Sequence, residues 1–502
     1  MKNRTRSIFS VAAVALLAPF MSVYAQKGNV KSLAELQLRY VNSRYQAYFH
    51  YGINTYDEVE SSWGSGKVSP SVWKPTALDC DQWADVVIAA GMKGGCLTTK
   101  HHDGFCLWDS KAIDPFNPGK ETTYDIGASP VKDDVVKAFT DAFRKKGLQI
   151  GLYYSIWDFH YDIRRGMMTP EKKEYLFEQI RELLTNYGKI DYINFDAWQL
   201  WNDIPYYDEL PYYEIYNLVK SIQPECLIIN HQYESNLAHS DVPFADASGG
   251  KFLFPLDYMR PTAASDNLNR GWFWYDGITI RRNADQILKN LDTYNSHNSV
   301  YTLNVAPNPA GLIPDNAIKV LNEVSKRWKR PENVKAPGDN WGFMYDVTKN
   351  LAFRKPVKQS STDSSVRDKR ATPRAEIALD GVTEGDNNLE QVSLTGKETD
   401  PSNRETCPWW QVDLLTTCEI DTITIYFRTD ADAEKLSKYT VRILDANCKI
   451  VWSRSVQREF PDPSVMIPVG KQQGRHVRIT LDGKDQLALA EVIVTGSQLP
   501  QQ

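Results

Sequence analysis

Gly91-Met-Lys-Gly-Gly-Cys-Leu-Thr-Thr99, running straight into Lys100-His-His-Asp-Gly-Phe105, is the stretch on which the fold of this chain turns. The first part predicts a short buried strand. The second places two imidazoles, an acid and a glycine where that strand ends. In a parallel α/β barrel, binding and catalytic groups collect at strand C-termini. Imidazoles donate and accept hydrogen bonds at neutral pH, which suits the hydroxyls of a sugar ring. A turn carrying two half-exposed histidines accounts for the same residues equally well, so the surrounding chain has to decide.

Outward from that stretch, apolar strands alternate with amphipathic helices over about 300 residues. Helices are predicted at 82–90, 135–146, 170–187, 211–222, 283–295 and 315–328, with Pro170 in the first turn of the third. Strands are predicted at 94–97, 149–154, 190–195, 226–230 and 300–304. This order implies an α/β fold of the (β/α)8-like barrel kind over residues 27–335, with a doubly wound sheet as the runner-up. Gly64-Ser-Gly66 has the wrong context for a phosphate loop.

The texture changes near residue 335. Residues 337–374 are rich in Ser, Lys, Asp and Pro, a linker is read at 336–347, and short alternating strands recur through 348–502, at 409–412, 422–427, 439–444, 451–455, 476–481 and 488–495. Such a pattern predicts an antiparallel β-sandwich. Two domains also suit a length of 502 residues.

Residues 1–25 read as a secretory leader: Lys2, Arg4 and Arg6 precede an apolar run, and Val23-Tyr-Ala25 offers a cleavage site. Export, to the periplasm or beyond, is the expectation, without a membrane span. The formal charge is −5 with no basic block, which argues against nucleic acid as a partner. Seven cysteines in no CxxC pattern fit neither a disulfide scaffold nor a zinc site; Cys418 and Cys448 are a pair that sequence cannot decide. Aromatic residues make up 12%, which suits sugar stacking and a large core alike.

The predicted strand Tyr192-Ile-Asn-Phe195 delivers Asp196 at its tip, beside Trp198 and Trp201. A carboxylate there suits a glycosidase nucleophile, and a helix N-cap is the alternative. A retaining enzyme needs a second carboxyl group about 5–5.5 Å away. Glu234, Asp246, Asp257 and Asp266 are the downstream candidates.

Together these pieces resemble glycoside hydrolase family 29, the retaining α-L-fucosidases, over roughly residues 40–330. The resemblance rests on Phe49-His-Tyr-Gly52, Trp63-Gly-Ser-Gly66, Lys100 to Phe105 with Trp108, and Gly151-Leu-Tyr-Tyr-Ser155 with Trp157-Asp158. Phe195-Asp196, Gly271-Trp-Phe273 and Leu303-Asn-Val-Ala-Pro-Asn308 complete it. It implies a deformed barrel, a double displacement on terminal α-1,3/1,4-fucosyl residues of an oligosaccharide or glycoconjugate, and no cofactor for catalysis. Asp196 matches the nucleophile. His50, Trp63, His101, His102 and Tyr153 match residues that hold fucose, with Trp198, Arg270 and Trp272 beside them. The family's Trp-Phe-Asp-Gly is Asn-Phe-Asp-Ala here, and its acid/base Glu is replaced by Asp257 in Pro255-Leu-Asp-Tyr-Met259, with Glu234 as second choice. A related α-L-glycoside such as an α-L-galactoside, or a binding protein without turnover, are the alternatives these departures keep open.

The C-terminal part resembles discoidin and fucolectin domains, on Ala378-Leu-Asp-Gly381, Pro408-Trp-Trp-Gln-Val-Asp-Leu-Leu415 and Ala490-Glu491. That implies a jelly-roll sandwich of the galactose-binding type and a structural Ca²⁺ near Asp380 and Glu491. Arg428 matches one sugar-binding Arg and Lys435 stands where the second would be.

Overall fold

A computed structural model describes residues 30–57, 63–199, 203–231, 234–246, 254, 258–335, 343–363, 365, 372–396, 406–430, 438–458 and 462–500. The leader, Asp257, Lys435, Trp201 and much of the linker lie outside these.

Eight parallel strands close into a barrel in sequence order. They are β1 (Tyr45–Phe49), β2 (Gly94–Lys100), β3 (Gln149–Ser155), β4 (Tyr192–Asp196), β5 (Leu227–Asn230), β6 (Val242–Ala245), β7 (Thr262–Asn267) and β8 (Ser299–Asn304). β1 pairs with β8, Tyr45 opposite Tyr301, which completes the ring. The helices are α1 (Leu33–Val41) ahead of β1, then α2 (Cys80–Ala89), α3 (Val135–Lys145), α4 (Pro170–Thr185), α5 (Tyr212–Ile222), α6 (Ala284–Ser296) and α7 (Asp315–Arg327). Among the described residues no helix lies between β5 and β6 or between β6 and β7, so the ring of helices is interrupted on that side.

Local chemistry starts these helices where the sequence says. Asp79, Asp134 and Thr169 each cap an N-terminus through the side chain, and Asn283 with Gln286 forms a capping box. Gly151 lets β3 lie against β4, because a Cβ there would sit 2.2 Å from the Tyr192 ring.

The described residues from 348 to 500 build a seven-stranded antiparallel sheet that curls round its own core. Its strands are β9 (Val357–Gln359), β10 (Ser393–Leu394), β11 (Trp409–Phe427), β12 (Lys438–Leu444), β13 (Ile450–Gln457), β14 (Ser464–Leu481) and β15 (Ala488–Gln498). Two segments read from sequence as separate, 409–412 and 422–427, are one strand, β11. Register shifts between Asp413 and Cys418 and between Ile420 and Thr422 interrupt its ladder with β14. All seven cysteines are free, so Cys418 and Cys448 are not bridged. No helix among the described residues is long and apolar enough to cross a membrane.

The two domains are joined by buried polar contacts. Arg354 pairs with Asp241 and donates to the carbonyls of Leu237 (2.6 Å) and Ser240 (2.8 Å). Arg374 pairs with Glu234 at 2.8 Å and Arg260 with Glu384 at 2.6 Å.

Candidate functional site

The mouth of the barrel is built at the C-terminal tips of β1 to β5. Asp196 ends β4, with 7% of its surface exposed. Its Oδ2 accepts a hydrogen bond from the Tyr153 hydroxyl at 2.8 Å and lies 3.8 Å from His102 Nε2. Its Oδ1 accepts from the Ala197 amide at 2.6 Å and lies 3.4 Å from His231 Nδ1. Burial alone would raise this carboxyl group, but His231, His102 and the Tyr153 hydroxyl outweigh it and hold the group ionised, below the usual carboxylate range. Ala197 sits at φ +53°, in the left-handed region. The turn after Asp196 therefore keeps the backbone of a glycine under a residue that carries a Cβ.

His101 and His102 are both buried, which excludes the half-exposed turn. Hydrogen bonding fixes the tautomer of His102. The Ser155 hydroxyl donates to Trp157 O at 2.7 Å, so it accepts from His102 Nδ1 at 2.7 Å. That leaves Nε2 of the neutral ring as an acceptor. The same logic fixes His50. Asn304 donates its amide to Trp272 O at 2.7 Å, so its Oδ1 accepts from His50 Nδ1 at 2.9 Å. Burial lowers His50 to about 3 and His102 to about 4, and drives His101 well below the usual histidine value. All three rings are neutral at pH 7.

Aromatic faces enclose these groups. Trp272 lies on His50 with ring centroids 4.6 Å apart, and His101 stacks on Tyr153 at 5.4 Å. Trp63 and Trp157 pack edge-on 5.7 Å apart, and both reach His102. Trp63 is 47% exposed and forms the rim.

The turn after β2 is held from behind. Lys100 is fully buried, pairs with Asp158 at 3.1 Å, and lies over the Tyr154 ring. Gly104 at φ +93° passes so close to Asp158 that a Cβ would stand 2.3 Å from its Oδ1. Asp103 accepts from Phe105 N at 2.7 Å and Asn54 Nδ2 at 2.9 Å, and burial lifts it to about 7. This acid braces the turn.

Other expected residues fall elsewhere. Trp198 is fully buried and donates its indole N–H to Leu210 O at 3.0 Å, packed between Phe195 and Tyr207. It backs β4 and is not a wall of the pocket, because its face is spent on the core. Arg270 is exposed. Glu234 contacts Arg374 and His239, the latter at 3.5 Å, and does not meet Asp196. Asp266 is taken up by Arg282, Asn290 and Tyr301, a structural cluster. Asp246, at the tip of β6, accepts from Ser265 at 2.8 Å, and its field reaches His231 and Tyr153. Asp257 lies outside the described residues.

His231 escaped the sequence reading. It follows β5 directly, so the strand-end rule applied to β1, β2 and β4 would have found it. Its ring stacks on Phe244 with centroids 4.3 Å apart. Burial pulls its value down, but Asp196, with Asp246 behind it, carries it above the usual one.

A family model for alpha-L-fucosidase matches residues 8–331, and one for a NedA-like, galactose-binding domain matches 378–479. Alpha-L-fucosidase 1 of Arabidopsis thaliana is 28% identical over 319 residues, 58% of this chain and 59% of that protein. Alpha-L-fucosidase of Dictyostelium discoideum is 25% identical over 294 residues, 55% of this chain and 59% of that protein. The chain thus spans less than two thirds of these relatives. A crystal structure of a glycoside hydrolase 29 family member from an unknown rumen bacterium superposes with a TM-score of 0.50 at 19% identity, covering 92% of this chain and 99% of that one. At that identity it speaks for the fold.

Proposed function

Given that this chain belongs to the alpha-L-fucosidase family, we propose that it is an exo-acting glycosidase that removes terminal α-L-fucosyl residues by a retaining double displacement. The observation that carries this is Asp196, an ionised carboxylate at the tip of β4, facing three neutral imidazoles. Asp196 attacks the anomeric carbon and the glycosidic oxygen leaves with a proton. A second carboxyl group supplies that proton, and then removes one from the water that releases the sugar. Asp257 is the first candidate for that role. Asp246 is a described carboxylate whose field reaches His231 and Tyr153, two partners of Asp196. Glu234 is disfavoured, because Arg374 and His239 hold it ionised against burial.

The bare Nε2 atoms of His50 and His102 accept sugar hydroxyls, and the Tyr153 hydroxyl orients the nucleophile. Trp63 and Trp272 offer apolar faces to the ring's C–H side. An α-1,3 or α-1,4 linkage is the proposed specificity, on the resemblance of the Trp63-Gly-Ser-Gly66 and Trp157-Asp158 elements. Export through residues 1–25 is part of the same proposal; sequencing the N-terminus of the secreted product should find Gln26 first.

Asp380 and Glu491 offer hard oxygens to a structural Ca²⁺. Both are buried, and burial raises both groups, Asp380 to about 7 and Glu491 with the Asp380 charge added. A cation between them relieves that. Each carboxylate already accepts from the protein (Val382 N, Tyr345 Oη), and no three His, Cys, Asp or Glu cluster among the described residues, so main-chain carbonyls would complete the shell. A Tm raised by Ca²⁺ and lowered by a chelator supports this; a Tm unmoved by both opposes it.

The deciding test is hydrolysis of an aryl α-L-fucoside, with an aryl α-L-galactoside as control. Asp196→Ala should abolish turnover while L-fucose still binds. Activity surviving in Asp196→Ala would remove it as nucleophile. The acid/base variant should keep the activated aryl substrate and lose fucosylated oligosaccharides, because a good leaving group needs little proton assistance.

A further inference from the structure

A second cavity lies between the domains. The loop from β4 to α5, the segment after β5 and one side of the sandwich enclose about 790 Å³, a volume typical of ligand pockets. Tyr206, Tyr207, Tyr212 and Tyr213 line the barrel side; Gln411 and His476 line the other. Trp198, packed on Phe195, Tyr207 and Tyr212, stands between β4 and this cavity, so it is separate from the pocket at Asp196.

Three of its lining residues hold a buried polar atom that meets no hydrogen-bond partner: His239 Nε2, Tyr212 Oη and His476 Nδ1. The nearest acid to His476 is Asp413 Oδ1, at 3.7 Å. These three atoms are closed off behind the cavity wall, whose surface Tyr206, Tyr213 and Gln411 help to form. The larger charges are already spent within the protein. Arg374 faces Glu234, Arg354 faces Asp241, Asp413 faces Arg475 and Asp208 faces Arg165. Lys355, Lys358 and Glu376 complete the charged lining. An aromatic cavity with mostly paired charges suits a neutral, hydroxyl-rich ligand.

We propose that this interdomain cleft is a second carbohydrate site, which takes a neutral oligosaccharide on the tyrosine faces and on Gln411. It rests on the glycan-acting reading above for the class of ligand, and does not require turnover at Asp196.

The test is calorimetric titration of the full chain with lacto-N-tetraose, a neutral glycan without fucose, and with a sialylated counterpart. Binding of the neutral glycan that excess L-fucose does not displace is expected. Tyr213→Ala and Gln411→Ala, one from each wall, should each weaken it about tenfold while the aryl fucoside kcat/KM and the Tm hold. No binding by the wild type, displacement by L-fucose, indifference to both variants, or binding of the sialylated glycan alone would each overturn the proposal. Failure of the fucosidase reading shows instead as absent aryl fucoside hydrolysis, with this titration unaffected.

Discussion

Asp196 and His231 move each other's protons. Burial pushes each towards its neutral form; the opposite charge 3.4 Å away reverses this, lowering the carboxyl group and raising the imidazole. Their mutual stabilisation is fully present between about pH 4 and 6.5, the ordinary values of the two groups. It fades as pH falls through the depressed carboxyl value and as pH rises through the raised imidazole value. His231→Asn should therefore destabilise the fold more at pH 5.5 than at pH 8.5, as denaturant unfolding at the two pH values will show. It should also move the acid limb of kcat/KM upward, because Asp196 loses the cation that keeps it ionised. Ser155→Ala removes the acceptor that sets the His102 tautomer. A loss of about tenfold in kcat/KM is expected, the worth of one charge-free hydrogen bond, with little change in Tm. Ala197→Gly relieves a left-handed φ of +53° and should stabilise by about 1 kcal/mol. Thermal melts of the two proteins check this.

At the scale of the element, the turn after β2 depends on an ion pair beneath it. Lys100→Met leaves Asp158 buried without its cation, at a cost of about 3–5 kcal/mol. Chemical unfolding should show that loss, and activity should fall with it because His101 and His102 stand on this turn. Elements with a local signal were legible in advance: the capped helices α2, α3, α4 and α6, and the apolar ends of β2 to β5. β6 and β7 were not. Val-Pro-Phe-Ala carries a proline, and Thr-Ala-Ala-Ser-Asp-Asn is polar at four of its six positions. Both are strands because barrel neighbours pair with them and bury them, which is a tertiary cause.

Across the whole molecule, Arg354 ties the sandwich to the barrel through Asp241 and two carbonyls. Arg354→Ala leaves Asp241 with Lys220 as its remaining cation. Scanning calorimetry should then resolve two unfolding transitions where the wild type gives one, since separate cores are left to melt separately.

The chain's own order of residues determined the alternation of strand and helix, the change of texture near 335, and the placing of Asp196, His101 and His102 at strand ends. These follow from periodicity, caps and turn chemistry, which act over a few residues. Tertiary structure alone decided that Trp198 faces the core, that Glu234 answers to Arg374 across the domain boundary, and that His231 stands against Asp196. Those outcomes depend on which strand ends converge round a closed barrel, and residues 140 positions apart, like Glu234 and Arg374, share no local signal.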